Sequence, residues 1–229
     1  MKALERILKA KELPFGEEYY RSHMYSRKER LIKKHIFDVI QWGAEVSSSD
    51  LLNGKGKTAL DVGCAYGYGV EVLKSLGYDA YGIDISKYSV RKAKDFYSAD
   101  FLICDVQKGL PFKDDFFDLL ICIGVIEHLA HPLQALRGIF ASCRGTMIFT
   151  TPNRLVERPI KKIMGDYDET HINVKSWGEW KDYFEALGSA FFKAEPFLDL
   201  SLTVKGKLLF FKSFKIPHLG LDLRILVKK

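Results

Sequence analysis

Hydrophobic positions along this chain follow two rhythms that alternate. Leu31, Ile32, Ile36, Phe37, Val39 and Ile40 recur at helical spacing, which predicts an amphipathic helix over residues 26–43 that covers a sheet. Ser47, Ser48 and Ser49 then mark a loop. Beyond it, short apolar runs predict strands at 58–62, 79–83, 101–104, 117–122 and 145–150, separated by helical stretches at 68–76, 87–97, 132–142 and 176–187. Strands that alternate with helices pair in parallel through right-handed crossovers, so the economical architecture is a doubly wound α/β sheet with helices on both faces. Runs at 191–200 and 223–228 add a terminal antiparallel pair, for a mostly parallel sheet of seven strands. The chain reads as one domain: an N-terminal helical cap over 1–45, a core over 58–187, and carboxyl-terminal strands over 188–229.

The first strand runs into Asp61-Val62-Gly63-Cys64-Ala65-Tyr66-Gly67-Tyr68-Gly69, a tight glycine-bearing turn that opens a helix. Such a turn lets a ligand approach the backbone and aims free N–H groups at it. Asp84 follows 21 positions after Gly63, at the end of the second strand, where a carboxylate can accept hydrogen bonds from both hydroxyls of a ribose. A nucleoside cofactor suits this βαβ unit. A dinucleotide dehydrogenase also carries such an acid, but its Gly-x-Gly-x-x-Gly is absent, and with it the second glycine that seats a pyrophosphate.

On these residues the chain resembles the class I S-adenosylmethionine-dependent methyltransferases. Their first motif reads acidic-x-Gly-x-Gly-x-Gly; Asp61, Gly63 and Gly67 fit it, and Ala65 replaces the middle glycine. Ile103-Cys104-Asp105-Val106, Phe117-Asp118-Leu119-Leu120-Ile121-Cys122, Glu127-His128-Leu129 and Thr146-Met147-Ile148-Phe149-Thr150-Thr151-Pro152-Asn153 resemble the later motifs in family order. The resemblance implies a Rossmann-like fold that binds S-adenosyl-L-methionine and releases S-adenosyl-L-homocysteine. It further implies that Asp61, Gly63, Ala65 and Gly67 surround the methionine portion, Asp84 holds the ribose, and Asp105 with Val106 reads the adenine edge. Ile85 and Ile103 would flank the purine, Ile123 would close the pocket after the fourth strand, and Arg30 on the cap helix would meet the cofactor carboxylate. Tyr19, Tyr20 and Tyr25 could close over the site or pack on the core.

Methyl transfer from a sulfonium needs an aligned nucleophile and exclusion of water more than a covalent intermediate. Proton removal from the acceptor points to His128, after the fourth strand, and to His171, in the polar run Asp168-Glu169-Thr170-His171-Ile172-Asn173. His128 can equally serve packing, and the run around His171 can equally cap the helix that Ser176 opens. The base-amine motif of nucleic-acid methyltransferases would stand where this chain has Ile123-Gly124-Val125-Ile126, and no cysteine neighbours a proline as cytosine carbon-5 chemistry requires. A small-molecule, lipid or glycan oxygen or nitrogen is therefore the favoured acceptor, with an RNA methyltransferase, or a non-catalytic protein that only binds the cofactor, as the alternative.

Composition bears on partners. The net charge of +6 permits a nucleic acid but is spread along the chain, so that partner is not favoured. No apolar stretch reaches membrane-span length, and the charged start lacks a signal peptide's apolar block, so the expected compartment is the cytoplasm. Cys64, Cys104, Cys122 and Cys143 are scattered singly, which predicts small buried hydrophobes and no metal site. Oligomeric state is left open. Residues 154–175 read as a long loop, and 205–215 as a hydrophobic segment tucked onto the core, with a lipid contact as the lesser alternative; both could line an acceptor cleft.

Overall fold

The computed structural model describes residues 15–23, 25–164, 168–204 and 207–229. Five strands form the parallel part of one sheet: β1 (Thr58–Val62), β2 (Asp79–Asp84), β3 (Asp100–Ile103), β4 (Phe117–Ile123) and β5 (Cys143–Pro152). β6 (Phe191–Val204), β7 (Lys207–Lys215) and β8 (Asp222–Lys228) complete it in the order β3-β2-β1-β4-β5-β8-β6-β7, with every pairing beyond β5 antiparallel. The predicted pairing of the last two runs is present as β6 with β8. The sheet has one strand more than the seven expected, because the segment read as tucked onto the core pairs along β6 as β7.

The central parallel strands β1, β4 and β5 are mostly buried because both faces are covered, while β3 at the sheet edge leaves Leu102 and Ile103 exposed. Alternation along β1 sends Ala59 to one core cluster and Leu60 with Val62 to the other. On the first face lie α2 (Glu29–Ser47), α3 (Tyr68–Ser75) and α4 (Lys87–Phe96), which bury Val39, Ile40, Val70, Leu73 and Val90. On the second, α5 (Pro132–Ser142) and α7 (Trp177–Ala186) bury Leu136, Ile139, Trp180 and Phe184. Each such side chain, fully withdrawn from water, contributes about 1.5–3 kcal/mol. Local chemistry fixes the helix ends: Pro132 opens α5, Ser86 accepts from Ser89 N at 3.1 Å, and Ser176 with Glu179 forms a reciprocal capping box before α7.

The cap departs from expectation. A short helix α1 (Glu17–Ser22) and a 3-10 turn (Tyr25–Lys28) precede α2, which starts three residues later and ends four later than its pattern predicted. Residues 154–164, read as loop, form α6 (Arg154–Met164) in spite of Pro159. Asn153 starts that helix, its Oδ1 accepting from Leu155 N at 3.2 Å and its carbonyl from Val156 N at 3.0 Å.

Candidate active site

Strand order reverses beside β1: β2 lies on one flank and β4 on the other, each reached by its own crossover. The crevice outside the carboxyl ends of strands at such a point is where doubly wound sheets bind ligands. A cleft of about 360 Å³ opens here, within the size range of small-molecule sites.

The turn after β1 forms its floor. Gly63 has φ +76° and Gly67 φ +83°, a region that favours glycine. The N–H groups of Gly63 and Cys64 both donate to the Ile83 carbonyl, at 2.8 and 2.9 Å, which pins the turn to the end of β2. Ala65 also adopts a positive φ, +46°, and donates its N–H to Asp84 Oδ2 at 2.9 Å. Asp84 Oδ1 accepts from Ser86 N at 2.8 Å. Each carboxylate oxygen has one lone-pair position beyond its backbone partner, and the Ser89 hydroxyl is a further donor beside this carboxyl. Burial pushes the Asp84 carboxyl above the ordinary range, against the pull of its backbone donors.

Seven of the ten proposed cofactor residues line this cleft: Gly63, Ala65, Asp84, Ile85, Asp105, Val106 and Ile123. Three do not. Asp61 is buried beneath the turn, accepting from Val70 N, and burial together with the nearby Asp84 pushes it up to about 8, so it is predominantly protonated at neutral pH. Gly67 faces inward: a Cβ there would lie 2.8 Å from the Phe101 ring, so this glycine serves packing. Arg30 is exposed on α2 and outside the lining, because the 3-10 turn resets where α2 begins and turns that position to solvent. Ile103, proposed to flank the purine, is 55% exposed and likewise outside.

The roof is aromatic. Phe15, Tyr19, Tyr20 and Tyr25 all line the cleft, and Ser86 Oγ fastens the segment by donating to the Phe15 carbonyl at 2.6 Å. Phe15 meets Tyr19 edge-on at 5.1 Å, and Tyr25 stacks on Tyr68 at 5.4 Å. Burial, with the charge of Asp168, pushes the Tyr19 phenol up to about 12, and burial pushes Tyr20 and Tyr25 up as well, so the roof presents neutral hydroxyls. No lysine or arginine is among the described lining residues. A floor of backbone N–H groups, two acids and an aromatic roof fits a phosphate-free nucleoside bearing positive charge, and among the described lining residues no cation is offered to a pyrophosphate.

His128 stands at the end of the cleft toward β4 and β5. Its Nδ1 lies 3.1 Å from the Thr170 carbonyl and 2.9 Å from Thr170 Oγ1, whose own proton is directed to Asp168 Oδ1 at 2.6 Å. A carbonyl only accepts, so Nδ1 carries the hydrogen, and in the neutral ring Nε2 is the basic nitrogen. Asp168 is held below the ordinary carboxylate range: burial opposes this, but bonds from Thr170 and the neighbouring imidazoles prevail. His171 packs behind His128 with ring centroids 4.9 Å apart and does not itself line the cleft; its Nδ1 meets Glu157 Oε1 at 3.0 Å. Glu157 escaped the sequence analysis because α6 did; Thr170 stood in the polar run singled out there, but its pairing with His128 spans 42 residues and left no local signal. Glu127, His128 and His171 also bring ligand atoms within 4.8 Å of one another, near enough to share a cation, though the hydrogen bonds just described already orient both imidazoles. Three of the four cysteines are buried as predicted, while Cys104 is half-buried at the cleft margin.

Known proteins resemble this chain in part of its sequence and in its fold. The chain is 35% identical over 83 residues to an 18S rRNA (guanine-N(7))-methyltransferase of Schizosaccharomyces pombe, covering 35% of this chain and 31% of that protein. It is 29% identical over 123 residues to a ubiquinone biosynthesis O-methyltransferase of Methylococcus capsulatus, covering 48% of this chain and 49% of that one. The matches thus span half or less of these relatives' lengths. A crystal structure of a SAM-dependent methyltransferase from Archaeoglobus fulgidus superposes with a TM-score of 0.69 at 19% identity, over 92% of this chain and all of that one, which establishes the fold. The methyltransferase-domain family matches residues 33–191, from within the cap helix to the start of β6, which takes in the cleft lining from Gly63 to Ile172 but not the roof residues Phe15, Tyr19, Tyr20 and Tyr25, and the chain belongs to that family of class I, S-adenosylmethionine-dependent proteins.

Proposed function

We propose that the chain transfers a methyl group from S-adenosylmethionine to an oxygen or nitrogen of a small-molecule, lipid or glycan acceptor, with His128 as general base. The carrying observation is one cleft lined both by Gly63, Ala65, Asp84 and Asp105, whose backbone and carboxylates suit a nucleoside, and by the His128 imidazole. Asp84 would hold the ribose hydroxyls, Asp105 and Val106 the adenine edge, and the tyrosine hydroxyls would stand in for the displaced Arg30 at the carboxylate. When bound, the cofactor supplies an electrophilic methyl group on sulfur. With the cofactor held by Asp84 and Asp105, the acceptor's lone pair would form the new bond to that carbon and the sulfur would keep the electrons of the old one. His128 Nε2 takes the acceptor proton, and Asp168 through Thr170 fixes the ring so that the lone pair remains on Nε2. The aromatic roof excludes water.

The ubiquinone relative favours a hydroxyl acceptor, and the rRNA relative supports the alternative, RNA. The cleft lining favours the first, since among the described residues it offers no cation to a phosphate backbone. Labelled S-adenosylmethionine incubated with cell extract and then fractionated distinguishes them: label in the small-molecule or lipid fraction is expected, and label in RNA refutes this choice. In the same assay His128→Gln should lower turnover by about 10²–10⁴ with cofactor affinity little changed. Unchanged turnover would remove His128 from the chemistry.

A further inference from the structure

We propose that the β6–β7 ribbon docks the protein on an anionic lipid bilayer, with its exposed apolar face against the membrane. Residues 191–197 of β6 pair with β8, Phe197 standing opposite Asp222, which itself lies opposite Pro152 at the end of β5. From Leu198 onward β6 pairs with β7 alone. The ribbon therefore runs on past the carboxyl ends of the parallel strands, toward the side where the cleft opens, for seven residues or about 23 Å.

Its two faces differ. One lies against α2, where His35 Nδ1 meets Asp199 Oδ2 at 2.6 Å and the His35 ring lies edge-on to Phe211. The other continues the surface that α7 covers lower down, where Phe184 packs on Phe192. Above that point, among the described residues, Leu200, Leu202, Val204, Phe210 and Phe214 are 37 to 53% exposed. Strand alternation and the register, with Leu198 opposite Phe214 and Leu202 opposite Phe210, make them one contiguous patch on a projecting ribbon. A patch of this kind marks an interaction site.

Charge selects the occupant. Residues 198–214 contain Lys205, Lys207 and Lys212 and a single acid, Asp199, which His35 and Arg224 hold on the opposite face. Lys212 sits in the middle of the patch, opposite Leu200, with its ammonium 5.0 Å from the Phe214 ring. Such a lysine lays its stem on apolar surface and lifts its charge to lipid phosphates. A second copy joined face to face about a twofold axis would instead enclose two ammonium groups with no acid on the patch to pair them. RNA would find mostly aliphatic side chains and little to bond. On α7, which covers the same sheet face, Trp177 is 54% exposed, a residue type suited to the interfacial zone.

The inference does not depend on what the cleft methylates. The test is co-sedimentation of the full chain with phosphatidylglycerol–phosphatidylcholine vesicles and with phosphatidylcholine alone, for the wild type, the Leu202→Ser/Phe210→Ser double variant and Lys212→Glu. Wild type should partition at least about tenfold more strongly onto the anionic vesicles, and the double variant should lose at least about tenfold of that binding. Lys212→Glu should lose binding most at low salt. The unliganded melting temperature and circular dichroism of each variant establish that it is folded. Absence of anionic-vesicle binding at low salt, or wild-type binding by a folded double variant, overturns the proposal. So does light scattering that finds a dimer which the double substitution splits, or RNA binding abolished by the same substitution without any effect on vesicles.

Discussion

Asparagine at position 84 separates the charge of the ribose-facing group from its shape. Asp84 is 7% exposed, and its two oxygens accept from Ala65 N and Ser86 N at 2.9 and 2.8 Å; a vicinal diol would take an acceptor position on each, in exchange for the Ser89 hydroxyl that also bonds this carboxyl. Asparagine keeps one of these acceptors and turns an amide N–H₂ toward the other. One charge-assisted bond, about 1.5–3 kcal/mol, is lost, and the second falls to the neutral range, about 1–1.5 kcal/mol weaker. The sum, about 2.5–4.5 kcal/mol, corresponds to roughly 10²–10³-fold weaker binding of S-adenosylhomocysteine. Calorimetric titration measures this directly. Thermal melts give an independent reading: at about 100 times the wild-type Kd, ligand stabilises the wild type by about 2.7 kcal/mol and should barely move the variant. The amide also faces one backbone donor, so the unliganded variant should lose about 1–3 kcal/mol of stability. Burial raises the Asp84 pKa, so wild-type affinity should decline as pH falls, beginning above the range of an ordinary carboxylate, and Asp84→Asn should abolish that decline. Affinity within about threefold of wild type at neutral pH, in a folded variant, refutes the ribose assignment.

Asp61→Asn should behave in the opposite sense. The folded carboxyl titrates near 8 and the unfolded one near 3.8, so the folded state holds a proton that the unfolded chain releases, and wild-type stability falls as pH rises between those values. The slope for this one group is up to about 1.4 kcal/mol per pH unit, so urea unfolding at pH 6 and pH 8 should show the variant gaining on the wild type, and parallel curves refute the buried protonated state. Gly63→Ala would place a Cβ 2.3 Å from Val125 Cγ2 at φ +76°, and should cost roughly 1–3 kcal/mol, with Val125→Ala recovering only the steric part; a melting temperature equal to wild type refutes this. Arg30→Ala should change cofactor affinity less than about twofold, since an exposed arginine outside the cleft has little to lose. A tenfold loss would restore Arg30 to the site.

What could be read from the sequence, and what could not, follows the range of the forces involved. β1, α5 and the Ser176 start of α7 were legible because burial on both faces, Pro132 and a capping serine write themselves into neighbouring residues. β7 was not: Leu208-Leu209-Phe210-Phe211 hides its alternation, and a shift in register between Leu202 and Thr203 breaks it again. α6 was hidden by Pro159. In the site, Asp84 and Asp105 were legible because strand ends place them, whereas Gly67 answers to Phe101 and Tyr97, which arrive from distant segments. Ala65 shows how the two ranges combine. Its departure from the family's glycine looks, in sequence alone, like a narrowing of the pocket. In the fold it holds φ +46° at a cost of roughly 1–2 kcal/mol, and the N–H so placed makes the buried 2.9 Å bond to Asp84. A charge-assisted bond of that kind contributes about 1.5–3 kcal/mol, enough to hold the alanine in a glycine's conformation while it orients the carboxylate.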